Sequence, residues 1–189
     1  MTARRALFLD KDGVINVDHG YVCTPERTDF IDGIFDLCRA STRNGFLNVV
    51  VTNQAGIARG HYAESQFLAY MDWVRSEFRK RDARLDAVYY CPHHPVHGIG
   101  DYLRDCECRK PKPGMLLAAQ RDLGLDLGGS ILIGDSGSDI GAGEAAGVGT
   151  CLRVAAIMDQ ATMRPAFAAG TLQHVLTLLE HDDARPADA

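Results

Sequence analysis

The sequence predicts an α/β fold with a mostly parallel central sheet and helices on both of its faces. Two observations carry this expectation. Short apolar runs, several rich in β-branched residues, end abruptly at polar residues, as buried strands do. Between them lie stretches whose apolar residues recur at helical spacing, and strand–helix alternation is the signature of a parallel sheet.

The elements follow in order. ALFL at 6–9 is a strand that stops at Asp10. Residues 33–44 place Ile34, Leu37, Cys38 and Ala40 or Ser41 near helical spacing. FLNVVV at 46–51 is a second strand and stops at Thr52 and Asn53. Residues 63–81 carry Phe67, Tyr70, Met71, Val74 and Phe78, an i, i+3, i+4, i+7 stripe best read as core. AVYY at 87–90 stops at Cys91, and ILIG at 131–134 stops at Asp135. Helices are expected over 114–123, 139–147 and 171–180, with a weaker fifth strand in GTCLRV at 149–154. The segment HDDARPADA, 181–189, has no apolar face and is expected to be a disordered tail. With no internal repeat and no long linker, one domain over 1–180 is expected.

The 189 residues suit one domain, and 46% apolar with 24% charged residues suits a globule with a real core. No stretch approaches the roughly 20 apolar residues of a membrane helix. The opening MTARRALFLDKDG is basic and then apolar. Its apolar run is too short for a signal peptide and ends in acid. A cytoplasmic protein is therefore expected, and its six cysteines read as thiols or metal ligands rather than disulfides. A net charge of −5 argues against a nucleic-acid surface. A monomer with no membrane partner is the expectation.

In an open parallel sheet, ligands bind beyond the carboxyl ends of the strands. Here those ends carry Asp10, Thr52, Asn53 and Asp135. LFLDKDG places two acids two residues apart, and Gly13 permits a tight turn after them. Asp10 with Asp135, helped by the backbone carbonyl of Asp12, suits Mg²⁺, which takes hard oxygen ligands and leaves room for substrate oxygens. Asp10 can then attack phosphorus to form an aspartyl-phosphate, while Asp12 protonates the leaving alcohol and later activates water. The plainer alternative is that these acids only flank a turn. Thr52 offers a hydroxyl to phosphoryl oxygens, although Thr-Asn also begins helices. CRKPKPG supplies Arg109, Lys110 and Lys112, cations for the non-bridging oxygens or ordinary surface charges. Asp139, four residues after Asp135, either supports the metal from behind or caps the next helix.

Taken together and in this order, these segments resemble the haloacid dehalogenase superfamily of phosphohydrolases. Asp10, Asp12, Thr52, Lys110, Asp135 and Asp139 match its pattern across residues 6–147. The resemblance implies a Rossmann-like three-layer fold, Mg²⁺ dependence and an aspartyl-phosphate intermediate. Within the superfamily, NVDHGYV, VVVTNQAGIARG, YYCPHHP and CECRKPKPGML resemble the heptose bisphosphate phosphatases, up to about residue 155. That implies removal of a C7 phosphate from a small phosphorylated sugar, in the ADP-heptose branch of lipopolysaccharide core synthesis. It also implies sugar or phosphate contacts from Asp18, His19, Gly20 and Tyr21, a pocket lined by Thr52, Asn53, Gln54 and Ala55, and a phosphate grip by Arg109 and Lys110. Ser136 is a departure, because relatives commonly have a lysine there. The nearest enzymatic rival is a histidinol-phosphate phosphatase.

Residues 91–113 lack periodicity and are too long for an ordinary connection, so something should pin them. Cys91, His93, Cys106 and Cys108 form a Cys-x-His…Cys-x-Cys arrangement, which relatives use for structural zinc, and four such ligands close a tetrahedral shell. His94 and His97 are rival ligands, and free thiols without metal are the other reading. A zinc loop over 91–108 would aim Arg109 and Lys110 at phosphate. Its different-class alternative is a zinc-ribbon-like binding module. No segment is large enough for a cap domain, so an open site is expected.

Overall fold

The structure, a computed structural model, describes residues 3–159, 164–168 and 170–181. Five parallel strands form the central sheet: β1 (Arg5–Leu9), β2 (Phe46–Asn53), β3 (Ala87–Cys91), β4 (Ile131–Gly134) and β5 (Thr150–Arg153), in the spatial order β3-β2-β1-β4-β5. The helices are α1 (Ile34–Arg43), α2 (Ala55–Ala58), α3 (Glu64–Arg79), α4 (Gly114–Leu123), α5 (Gly137–Ala146) and α6 (Thr171–His181).

Because side chains alternate along a strand, β1 feeds two cores. Leu7 and Leu9 pack on one face with Ile34, Leu37, Phe67, Val74 and Phe78. Ala6 and Phe8 pack on the other with Met115, Leu116, Ala119 and Ala142. The stripe along α3 is therefore core, as its spacing indicates. Helix, sheet and helix make the expected three layers, and burial on both faces explains the near-continuous apolar strands.

Three features go beyond the sequence expectation. β2 runs on through Thr52 to Asn53, since its pairing with β3 continues to the register Asn53↔Cys91. The single turn of α2 follows β2 in a stretch to which the sequence assigns no element. β6 (Ala156–Asp159) and β7 (Arg164–Phe167) form an antiparallel pair in a second, two-stranded sheet, and Phe167 closes the first core. Pro165 in β7 masks a strand signal, but a two-stranded sheet has only edges and an edge tolerates proline. At the other end, α6 includes His181, where the tail was expected to begin; 182–189 lie outside the described residues.

One polar residue sits in the middle of the β2 sequence. Asn48 is fully buried, and its Nδ2 donates to Cys38 O at 3.0 Å, Thr42 Oγ1 at 3.1 Å and Arg84 O at 3.1 Å. Its backbone N–H donates to Asp86 Oδ2 at 2.8 Å, while its carbonyl accepts from Asp86 N at 2.8 Å. Asn48 thus ties the end of α1 and the turn before β3 to the start of β2. Asn48→Val adds apolar surface but takes the donor from Arg84 O and one of two side-chain donors from Cys38 O, which keeps that of Thr42 Oγ1. The expected result is a loss of about 1–3 kcal/mol in urea unfolding, whereas a gain would show that burial outweighs the bonds.

Candidate active site

The chain leaves β1 towards β2 on one side, while β4 lies on β1's other side and is reached from β3. Ligand crevices form above such switch points, at the carboxyl ends of the strands. Asp10 and Asp135 directly follow β1 and β4, and Asp10 N–H donates to Ile133 O at 3.0 Å, fixing the two ends together. One carboxylate oxygen from each of Asp10, Asp135 and Asp139 falls within 4.8 Å of the others.

Lys110 enters this acidic group from below and is only 4% exposed. Its three N–H bonds have three acceptors: Asp10 Oδ1 at 2.7 Å, Asp139 Oδ1 at 2.5 Å and Val51 O at 2.7 Å. Its backbone is clamped by Asn53, which donates from Nδ2 to Lys110 O and accepts at Oδ1 from Lys110 N, both at 3.0 Å. Asn53 borders the crevice, but its amide is spent on holding the lysine.

Two glycines make the close approach of the acids feasible. Gly13 has φ +86°, and a Cβ there would stand 2.1 Å from Asp135 Oδ2. Asp135 therefore lies directly over the turn that follows Asp12. At Gly134 a Cβ would stand 2.2 Å from Asp139 Cβ. Asp139 is not the N-cap of α5, a position that Ser136 holds. It sits at the third position of α5 in a reciprocal capping box with Ser136, whose Oγ and N–H both donate to Asp139 Oδ2, at 2.6 and 3.0 Å. With its other oxygen on Lys110, Asp139 stands behind Asp10 and Asp135.

The electrostatics show a shortage of positive charge. Burial pushes Asp10 up to about 6 despite Lys110, and the carboxylates of Asp139 and Asp12 push the same way. Asp135 is also raised, by burial and by Asp139 and Asp18. Burial works against ionisation of Asp139, yet Lys110 and the Ser136 bonds hold it below the usual range. One lysine among these acids leaves Asp10 and Asp135 under-compensated, and their hard oxygens suit a divalent ion such as Mg²⁺.

Asp12 stands apart from this group. Its Oδ1 accepts from Lys11 Nζ at 2.5 Å and from Asn16 Nδ2 at 2.9 Å. Across the crevice, Tyr62 donates to Gln54 Oε1 at 2.7 Å and Gln54 Nε2 donates to Thr52 Oγ1 at 2.8 Å. Thr52 accepts that bond, so its own hydroxyl hydrogen is free to face a phosphoryl oxygen. The cavity measures about 430 Å³, and its walls include Asp18, Gly20, Tyr21, Thr52, Asn53, Gln54, Ala55 and Lys110 from the sequence expectation. Gly56, Tyr62, Ser136 and Ser138 also line it, and only Ser136 had been singled out.

Two expected contacts turn elsewhere. His19 Nε2 lies 2.7 Å from Asp29 Oδ2, and Arg109 Nη1 donates to His93 O at 3.1 Å. Neither residue lines the cavity. Arg27 instead holds the adjoining loop, donating to His19 O at 2.8 Å and Gly20 O at 3.0 Å. There Tyr21 takes a left-handed φ of 53° and packs on His61, with ring centroids 4.3 Å apart.

The loop after β3 gathers Cys91, His93, Cys106 and Cys108. The sulfurs of Cys91, Cys106 and Cys108 lie 3.1–3.4 Å apart, and His93 Nδ1 lies 3.4 Å from Cys108 Sγ and 3.8 Å from Cys91 Sγ. Tetrahedral zinc ligands sit about 3.5–3.8 Å from one another, given bonds of about 2.0–2.3 Å. The quartet therefore fits zinc with slight contraction. The hydrogen bond between Cys108 and Cys91 holds Cys108 down at about 5, towards the thiolate a metal needs, and raises Cys91. His94 is not in the group, and its Nδ1 accepts from the N–H groups of Val96 and His97, each at 3.1 Å. His97 packs against His94 rather than joining the quartet. Lys112, bonded to Asp105 at 2.8 Å and Glu107 at 3.2 Å, staples the same loop at the surface and does not reach the crevice.

Comparison with known proteins gives consistent results. The HAD-hydrolase-like family matches residues 107–175. A D-glycero-alpha-D-manno-heptose-1,7-bisphosphate 7-phosphatase from Burkholderia mallei is 54% identical over 168 residues, covering 89% of this chain and 87% of that protein. The D-glycero-beta-D-manno-heptose-1,7-bisphosphate 7-phosphatase of Vibrio cholerae is 50% identical, covering 80% of this chain and 82% of that protein. The crystal structure of D,D-heptose 1,7-bisphosphate phosphatase from B. bronchiseptica, complexed with magnesium and phosphate, superposes with a TM-score of 0.68 at 32% identity. It covers 77% of this chain and 78% of that one.

The raised carboxyl of Asp10 has a consequence for stability. Folded, it keeps its proton to about pH 6, whereas unfolding returns it to its ordinary value of 3.8. In that window the folded state binds more protons, so stability falls as pH rises. Asp139 has the opposite sign, but its contribution is lost only on acidification below its unfolded value. A divalent ion held by the ionised pair would reverse the loss. The gain in melting temperature with Mg²⁺ is expected to be small at about pH 5 and large above about pH 6.5; a gain independent of pH would contradict this. At the second metal position, Cys106→Ser should lower zinc from about one per chain, read by elemental analysis. Unchanged zinc would remove Cys106 from the ligand set.

Proposed function

The chain belongs to the heptose-1,7-bisphosphate 7-phosphatase family of HAD-like hydrolases, and we propose that it removes the C7 phosphate of D-glycero-D-manno-heptose 1,7-bisphosphate. The observation that carries this reading is the pairing of Asp10 with Asp135 above Lys110 in a cavity of about 430 Å³, on a chain 54% identical to a named heptose bisphosphatase. The relatives are named for both anomers, so either suits the reading.

Asp10 and Asp135, with the backbone carbonyl of Asp12, would hold Mg²⁺, whose charge offsets the repulsion between carboxylate and phosphate. Lys110 holds Asp10 Oδ1, so Oδ2 is the oxygen left to attack phosphorus. As the new P–O bond forms, the bond from phosphorus to the sugar O7 breaks, and Asp12 gives its proton to that oxygen. Water then attacks the aspartyl-phosphate, Asp12 takes the water's proton, and Asp10 is released with inorganic phosphate. Thr52 Oγ1–H steadies a phosphoryl oxygen, while Lys110, whose three donors are taken, acts through its charge and its hold on Asp10. Asp18, Gly20 and Tyr21 form the wall against which the sugar rests, together with Gln54 and Ala55.

Cys91, His93, Cys106 and Cys108 would hold a structural zinc with no open position. Lys110 follows the last of these ligands by two residues, so a pinned loop delivers it at a fixed place. His19 and Arg109 act on substrate only if their bonds to Asp29 and His93 O are exchanged. Residues 1–180 form one phosphohydrolase domain that works as a monomer in the cytoplasm, without nucleic acid or membrane. Among the described residues no helix is long and apolar enough to cross a membrane.

Phosphate release by the purified protein decides the reading. Heptose bisphosphate should be turned over faster than histidinol phosphate, and only with Mg²⁺. Asp10→Asn should lower kcat by at least about 10³-fold while the protein stays folded. Faster histidinol phosphate hydrolysis, or an active Asp10→Asn, would overturn it.

A further inference from the structure

Lys11, between the two acids of the first motif, is fully buried, although a lysine in a tight turn ordinarily keeps its charge in water. Its ammonium has three N–H donors and meets three oxygens: Asp12 Oδ1 at 2.5 Å, Val22 O at 3.1 Å and Asn16 Oδ1 at 3.4 Å. It also lies 5.3 Å from the centre of the Tyr70 ring, whose hydroxyl is tied to Thr28 Oγ1 at 2.9 Å. Asn16, equally buried, donates from Nδ2 to the same Asp12 oxygen at 2.9 Å and to Val17 O at 2.8 Å. Asn16 and Val22 come from the connection between β1 and α1 and Tyr70 from α3, so the fold builds a socket around this one side chain.

Both donors bind one oxygen of Asp12 and leave the other alone. A carboxylate pinned at Oδ1 by two hydrogen bonds cannot rotate freely, and Asp12 borders the cavity beside Asp10. We propose that Lys11, assisted by Asn16, is a positioning residue that fixes the Asp12 carboxylate so that Oδ2 is the atom that gives and takes the proton. Lys11 touches neither substrate nor phosphorus and acts only through Asp12. The inference rests on the phosphatase reading above and deepens it by naming what aims the acid.

The role predicts a dependence on the leaving group. A sugar alkoxide needs a proton to depart, whereas p-nitrophenolate departs without one. First-turnover phosphoryl transfer should therefore be measured by rapid quench with heptose bisphosphate and with p-nitrophenyl phosphate. For Lys11→Met, transfer from the sugar should slow by about 100-fold, and transfer from p-nitrophenyl phosphate by less than about 3-fold. Equal slowing on both substrates would mean that Lys11 merely supports the site, and no slowing on either would mean that it does nothing for Asp12. Both results overturn the proposal. If Lys11→Met does not fold, Asn16→Ala removes the neutral donor and is read by the same two rates, with the same results for and against. A wild-type protein inactive on both substrates, or an Asp10→Asn protein still active on them, would instead sink the phosphatase reading itself.

Discussion

An ammonium buried among carboxylates organises the upper edge of this sheet. Lys110 has no contact left for water: its donors go to Asp10, Asp139 and the Val51 carbonyl. Removing one partner from such a group leaves an uncompensated buried charge, a far greater cost than losing a surface ion pair. The other elements of the site are arranged to keep this lysine in place and to keep its charge insufficient. Asp139 takes a share of it, so Asp10 and Asp135 together still lack a cation. That shortfall suits the cluster of acids to a divalent ion such as Mg²⁺.

The loop after β3 makes the lysine's position reproducible. A polar segment of this length cannot order itself by burying apolar surface. Its ends are tied instead: Gln54 N–H donates to Cys91 O at 2.8 Å, and Asn53 holds both backbone groups of Lys110. Between those anchors stands the cysteine–histidine quartet. A metal there would change one contact. Arg104 Nη2 now lies 2.7 Å from His93 Nε2, an arrangement that needs Nε2 to be the acceptor. Ligation through Nδ1 would place the ring hydrogen on Nε2 and turn Arg104 away.

Much of this was legible in the sequence, for a physical reason. Strand ends are where an α/β fold presents its chemistry, and the apolar runs ended visibly at Asp10, Thr52 and Asp135. The cysteine spacing similarly singled out the quartet. What escaped were matters of side-chain direction and of contact between distant segments. His19 and Arg109 lie in the expected loops but point to Asp29 and to a backbone carbonyl, partners that no local pattern identifies. Asn53 lines the pocket as read, but its second task, clamping the backbone of Lys110, has no local signal. No sequence pattern marks Lys11, because the groups that bury it arrive from Val22 and from Tyr70 on α3. The antiparallel pair of β6 and β7 was hidden by a proline that an edge position tolerates.

The central claim is geometric: one divalent ion shared by Asp10 and Asp135, with Asp10 in line with phosphorus. A crystal structure grown with Mg²⁺ and beryllium fluoride tests it directly, because beryllium fluoride mimics a phosphoryl group on a nucleophilic carboxylate. The account predicts density for the adduct on Asp10, with the ion bridging it to Asp135. An adduct on another residue, or an ion bound away from Asp135, would contradict it.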